Sequence, residues 1–165
     1  MFYINKEDRS LPGKIIHANN YEYSHIRAYL NGLDGSAYYV KDFTNKGFIN
    51  KAFSKKAIEK INIVKLDNSL CNNTKDKIFL LSQSEITKSA YGFASDERRI
   101  LQPTDYSLAT GTFMDLKRCC NWWLRSPYDY RSDYACVVFH DGNADYYYYV
   151  DYTNRGVVPA LSISF

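Results

Sequence analysis

The sequence predicts a single α+β domain. Helical periodicity fills the first half, and short strand-like runs broken by turn residues fill the second. A length of 165 residues suits one domain that buries a core without disulfides or metal. Apolar residues make up 45% of the chain and the net charge is only +3. That composition favours an ordered chain, and it points to neither nucleic acid nor a membrane surface as partner. No apolar run is long enough to cross a bilayer.

Phe2–Ile4 is a short apolar run expected as an edge strand. Met1–Lys6 lacks the basic start and roughly 7–15-residue apolar stretch of a signal peptide. Tyr21–Asn31 reads as a helix capped by Asn19 or Asn20. Ile26, Tyr29 and Leu30 share one face, and Asn31-Gly32 ends it. Leu33–Gly47 reads as a loop. Phe48–Ile61 reads as a second helix, with Phe53, Ala57, Ile58 and Ile61 as its apolar stripe and Ser54 capping its second half. Ile63–Leu66 is expected as a strand, and Asp76–Leu81 as a buried one. Ser82-Gln83-Ser84-Glu85 has the form of a capping box, opening a short helix to about Tyr91. Ser95–Thr112 reads as irregular. Further strands are expected at Trp122–Leu124, Ala135–His140, Ala144–Val150 and Val157–Ser164. His140-Asp141-Gly142-Asn143 is the hairpin turn between the second and third of these.

Cys71, Cys119, Cys120 and Cys136 carry no zinc spacing. They read as buried thiols, with a disulfide such as Cys71–Cys120 as the alternative. His17, His25 and His140 are scattered. His25 reads as structural or solvated. His140 is expected to be exposed beside its turn, with ligand contact as the sharper reading. No metal, cofactor or catalytic constellation is expected: there is no Gly-x-Ser-x-Gly element and no phosphate-binding glycine loop.

Residues 128–155 stand apart. The window holds eight of the sixteen tyrosines and five aspartates, and no Lys, Glu, Gln, Met or Trp. Those five types fill 24 of the other 137 positions, so about five would be expected here at ordinary usage. A tyrosine-rich sheet explains the tyrosines, since Tyr has high β propensity. It does not explain the missing lysines, which are common on exposed strands. The five absent types share one property: none has a codon ending in a pyrimidine. Asn-type codons randomised at their first two bases yield Tyr, Asp, Asn, Ser, His, Arg and apolar residues, and never those five.

Three stretches resemble a known family. They are Asn121-Trp122-Trp123-Leu124-Arg125-Ser126-Pro127, then Ala135, Val138, Gly142 and Val150, then Gly156-Val157-Val158-Pro159-Ala160-Leu161. Together they are similar to the carboxy-terminal half of a bacterial domain family of unknown function, whose hallmark is Trp-Trp-Leu-Arg-Ser-Pro followed by Gly-Val-Arg-Pro-Ala-Leu. Tyr23–Asn31 and Asp76–Ser82 match its first helix and middle strand. Tyr128 and Val158 depart from the Gly and Arg usual at those places.

The resemblance implies a C-type-lectin-like fold. It also implies kinship with the variable proteins of diversity-generating retroelements, in which error-prone reverse transcription rewrites adenines near a gene's end. It further implies display on a cell surface or phage particle, a macromolecular ligand (protein first, glycan second) and no enzymatic activity. Trp122, Trp123, Leu124, Ala135, Val138, Val150, Pro159 and Leu161 become scaffold. Gly142 and Gly156 become turn residues, and Arg125 a buried structural arginine. The calcium-dependent sugar motifs of animal lectins are missing. Cys119-Cys120 does not resemble the paired cysteines of formylglycine-generating enzymes. A fixed structural or adhesion module of the same fold, without diversification, is the alternative, and an enzyme is the third reading.

The expected ligand-binding positions form two patches. The first is Tyr128, Asp129, Tyr130, Arg131, Ser132, Asp133 and Tyr134. The second is Asn143, Asp145, Tyr147, Tyr149, Tyr152, Asn154 and Arg155. If Val150 points inward, Tyr147 and Tyr149 point outward and Tyr146 and Tyr148 are partly buried.

Overall fold

A computed structural model describes residues 7–164. Phe2–Ile4 lies outside the described residues. The fold is mixed α and β with antiparallel sheets. Strands β1 (Arg9–Leu11) and β2 (Lys14–Ile16) form a hairpin. Helix α1 (His25–Asn31) follows. Its cap is Ser24, whose side chain accepts from the Arg27 amide, so it starts four residues later than periodicity suggests. Gly32 ends it in the left-handed conformation, as expected. The single helix expected at Phe48–Ile61 is two: α2 (Phe48–Ala52) and α3 (Lys55–Lys60). Phe53 breaks it by turning extended, and Ser54 caps α3 through the Ala57 amide.

Strands β3 (Val64–Leu66) and β4 (Thr74–Asp76) pair antiparallel. The buried strand expected at Asp76–Leu81 is instead a bend at Lys77 and Ile78 after β4 and an isolated bridge from Phe79 to Ala160, with Ile78, Phe79 and Leu80 in the core. Its polar groups are met by the α1 C-terminus. Asn31 accepts from the Lys77 and Ile78 amides and donates to the Ile78 carbonyl at 2.7 Å. The capping box forms reciprocally: Ser82 N–H donates to Glu85 Oε2 at 2.8 Å, and Glu85 N–H to Ser82 Oγ at 3.2 Å. It closes a turn and then a 3-10 turn over Ser89–Tyr91, not the expected α-helix. Helix α4 (Asp105–Ala109) appears inside the stretch read as irregular.

The last three strands make one sheet, ordered β5 (Trp122–Pro127), β6 (Tyr134–Val138), β7 (Tyr146–Tyr149). Strand alternation sends Trp123, Ala135 and Val137 to one face and Trp122, Leu124, Cys136 and Val138 to the other. Both faces are covered. The first packs against Tyr21, Ile26, Leu30, Ile78, Leu80 and Val150. The second packs against Ile86 and Ala144. A strand buried on both faces reads as continuous apolar sequence, as Trp122–Leu124 does. Each such large side chain contributes about 1.5–3 kcal/mol through burial.

The turn after β6 runs from Phe139 to Gly142, whose φ is +87°. A Cβ at Gly142 would fall 1.9 Å from the Asp96 carbonyl oxygen. Gly156 is not a turn residue. It pairs with β5 on the side away from β6, donating to the Asn121 carbonyl at 2.7 Å and accepting from the Trp123 amide. Val157–Ser164 forms isolated bridges at Ala160 and Ile163 in place of a strand. Pro159 is exposed rather than part of the core. All four cysteines are free thiols.

Arg125 is the buried arginine expected. Its guanidinium pairs with Glu85 and donates to the Leu80 carbonyl at 2.9 Å, to Asn68 Oδ1 and to the Asp67 carbonyl. Burial alone pushes the Glu85 carboxyl up. Arg125 and the Ser82 amide overcome that and hold it below its ordinary value of 4.5. A depressed folded-state pKa adds stability above the ordinary value, and that stability is lost as pH falls through the folded value. Glu85→Gln should therefore lower stability at pH 7 by about 3–5 kcal/mol, by leaving a buried cation unpaired. The variant should also lose part of the acid dependence below pH 4.5. Urea denaturation at pH 7 and pH 4 reads both effects.

Candidate functional site

After Pro127 the chain leaves β5, loops through 128–133 and returns as β6. The loop is closed by the Tyr128 amide on the Tyr134 carbonyl at 3.0 Å. Its interior anchor is Asn19, which is buried. The Asn19 side-chain amide donates to the carbonyls of Tyr128 (3.3 Å), Arg131 (2.9 Å) and Tyr134 (2.9 Å). Its backbone amide donates to the Ser132 carbonyl at 2.7 Å. Asp8 steadies the segment before Asn19, accepting from the Ala18 amide and pairing with His17, each at 2.9 Å.

The sheet order brings the two expected patches together. Tyr134 faces Tyr149 and Cys136 faces Tyr147 across β6 and β7. The Tyr128 ring stacks on Tyr147 with centroids 3.6 Å apart. Tyr134 meets Tyr149 edge-on at 4.4 Å. Arg131 lies over both Tyr134 and Tyr149 and grips Asp133 with two hydrogen bonds of 2.8 and 2.9 Å. Tyr130 stands 85% exposed beside Tyr128. The Tyr147 hydroxyl holds the Tyr128 phenol proton and pushes it up to about 12, and Tyr149 does the same for Tyr134. These phenols are neutral at ordinary pH.

The second patch divides. Tyr147 and Tyr152 are exposed at 39% and 40%, Asp145 and Asn154 are exposed, and Tyr149 is half-buried. Tyr146 is expected to be partly buried, yet it is as exposed as Tyr147: on the edge strand β7 each is covered by one stacked ring, Phe139 on Tyr146 and Tyr128 on Tyr147. Tyr148 is half-buried, as expected. Asn143 shapes its turn, accepting from the Asp145 amide at 2.8 Å. Arg155 is the clear correction. It is only 7% exposed and lies beneath Tyr148 and Tyr152, with its guanidinium 4.0 and 5.4 Å from their ring centroids. His140 is half-buried between Phe113 and Phe139, not exposed.

Two hollows share Tyr128, Asp129 and Tyr130 as walls. One, of about 380 Å³, adds His17, Asn19, Leu70, Arg131 and Ser132. The other, of about 270 Å³, adds Gln83, Pro127, Cys136, Asp145, Tyr146 and Tyr147. Asn19, Leu70 and Gln83 were not among the expected positions. They lie far away in the chain, and nothing in their local sequence points to this face. Among the described residues, no group of three or more His, Cys, Asp or Glu side chains is placed to hold a metal ion. No helix among them is long and apolar enough to cross a membrane.

The molecule is thus a small α+β domain with a tyrosine-rich face on the edge of its largest sheet. It belongs to the family described as Domain of unknown function (DUF6273), which matches residues 3–165. No curated protein and no solved structure matches the chain.

The loop anchor gives a test. Asn19→Ala removes three side-chain hydrogen bonds to loop carbonyls, each of which then keeps one backbone amide, a loss of about 1 kcal/mol per bond. Hydrogen exchange should show the loop amides around 128–134 losing protection while the Trp123 and Arg125 amides in β5 keep theirs.

Proposed function

We propose that the protein is a variable ligand-binding module. In this reading it has a C-type-lectin-like fold, comes from a diversity-generating retroelement, and presents the 128–155 face to a macromolecular ligand, in first place a protein, rather than acting as an enzyme. One observation supports this most. Of the fourteen expected positions all but Arg155 remain accessible, while the intervening Ala135, Cys136, Val137, Val138 and Val150 are buried. The unusual composition therefore coincides with surface.

The missing residue types sharpen the point. Ten positions in the window are exposed, and none is Lys, Glu or Gln. Eleven of the thirteen lysines sit at exposed positions elsewhere. A solvated sheet edge ordinarily carries lysine. Its absence where solvent would welcome it fits a codon constraint better than a folding constraint.

The physical case for binding is the tyrosine itself. It offers large contact area with few rotatable bonds, and neighbouring Asp, Asn and Arg add polar selectivity. Stacking of Tyr128 on Tyr147 orders these rings before any ligand arrives, which lowers the entropy to be lost on binding.

Sequencing this gene across a population of its source cells tests the reading. Codons for the exposed window positions should vary by adenine-directed substitution against a nearby template repeat. Codons for Trp122–Pro127 should stay constant. Uniform codons, with no template copy and no reverse-transcriptase gene alongside, would favour a fixed adhesion module.

A further inference from the structure

The 270 Å³ hollow has a consistent chemistry. Its lining includes four tyrosines, Tyr128, Tyr130, Tyr146 and Tyr147. Its only charged lining groups are the carboxylates of Asp129 and Asp145. Neither makes an ion pair among the described residues. Asp145 takes only a 3.4 Å hydrogen bond from Gln83. The one side-chain amide present is already engaged, since Gln83 Nε2 also donates to the Ala144 carbonyl at 3.2 Å. Arg131, a basic group on the same face, lines the neighbouring hollow and is paired with Asp133.

The field of the two carboxylates reaches the floor. The Cys136 thiol there is pushed up to about 12, by burial first and then by Asp129 and Asp145. The tyrosine hydroxyls add hydrogen-bonding groups, and Tyr128 is itself held neutral. The hollow is therefore negative although the chain as a whole carries +3. Aromatic faces with carboxylates and no competing cation suit a positive group.

We infer that this hollow takes the protonated side chain of a lysine or arginine presented by a protein ligand, with the tyrosine faces around its stem and charge and the carboxylates of Asp129 and Asp145 as counter-ions. This rests on the reading of the face as a binding surface and supplies the class of group it recognises. Long basic side chains match it in both parts, since their methylene stems pack on rings while the charged end meets the carboxylates.

The test is selection of a random displayed-peptide library on the intact protein, followed by rescreening on two variants. One is Asp129→Asn/Asp145→Asn, and the other is Tyr128→Ala/Tyr130→Ala/Tyr147→Ala. Both aspartates are exposed, so the first variant should keep its thermal midpoint. Peptides that depend on the tyrosines should be enriched in Lys or Arg and should bind the Asn variant about tenfold or more weakly. Replacing the basic residue by norleucine should cost a similar factor, and raising salt from 50 to 500 mM should weaken binding several-fold. Tyrosine-dependent peptides that bind the Asn variant equally well, or that tolerate norleucine, would overturn the inference and leave the binding surface standing. Finding no tyrosine-dependent peptide would overturn both.

Discussion

The structure depends on one buried ion pair. Arg125 sits in the middle of β5, with Trp122-Trp123-Leu124 before it and Ser126-Pro127 just after. Its guanidinium reaches three separated pieces of chain: the 67–68 loop, the Leu80 carbonyl and Glu85. Glu85 in turn closes the Ser82 capping box. Desolvating both charges is expensive, so such a pair stabilises only with every lobe satisfied, as here. What it confers above all is position. With Arg125 seated, the strand that leads into the 128–134 loop is held where its register against β6 shifts, between Trp123 and Pro127.

Two further arginines anchor the chain by ion pairs, one largely buried and one with an exposed carboxylate. Arg27 grips Asp76, and Arg99 pairs with Asp96 while donating to the Gly142 carbonyl at 2.8 Å. Arg99 fixes the turn between β6 and β7, and its own carbonyl accepts the Trp122 indole N–H. The tyrosine face is thus held at both ends, by Asn19 under its loop and by Arg99 at its hairpin. None of these anchors lies inside residues 128–155. A surface whose supports lie elsewhere in the chain can change its side chains without losing its backbone path.

The fold class was legible in the sequence, and so were several local devices. The Ser82–Glu85 box, the Ser54 cap and the Gly32 helix end follow from residue chemistry within a few positions of each, and the buried Arg125 from the family resemblance of its motif. Helix extents were less legible. Phe53 interrupts what periodicity reads as one helix, because apolar spacing alone does not register an extended residue placed between two caps. Val157–Ser164 looks strand-like, yet it bridges to Phe79 and Ile61 singly rather than along a ladder. Asn19 illustrates the deeper limit. As a local signal it is a helix cap. Its actual partners lie more than a hundred residues away, and only tertiary packing reveals them.

Arg155 shows where the candidate face and the scaffold meet. Unlike Arg27, Arg99 and Arg125, it pairs with no carboxylate among the described residues. Its side chain donates to Asn154 Oδ1, and its charge rests on the faces of Tyr148 and Tyr152. Burial holds its pKa below the ordinary arginine value, which marks how much solvation it has given up. A charge supported by two rings tolerates loss of either ring poorly. Tyr148, Tyr152 and Arg155 are therefore one unit, whereas Tyr130, exposed at the loop tip, is nearly independent of its surroundings. If the face is rewritten from copy to copy, its positions are not equally free. Substitutions at Tyr130 or Asp129 should act on the ligand alone. Those at Tyr148 or Tyr152 act first on the arginine they shelter.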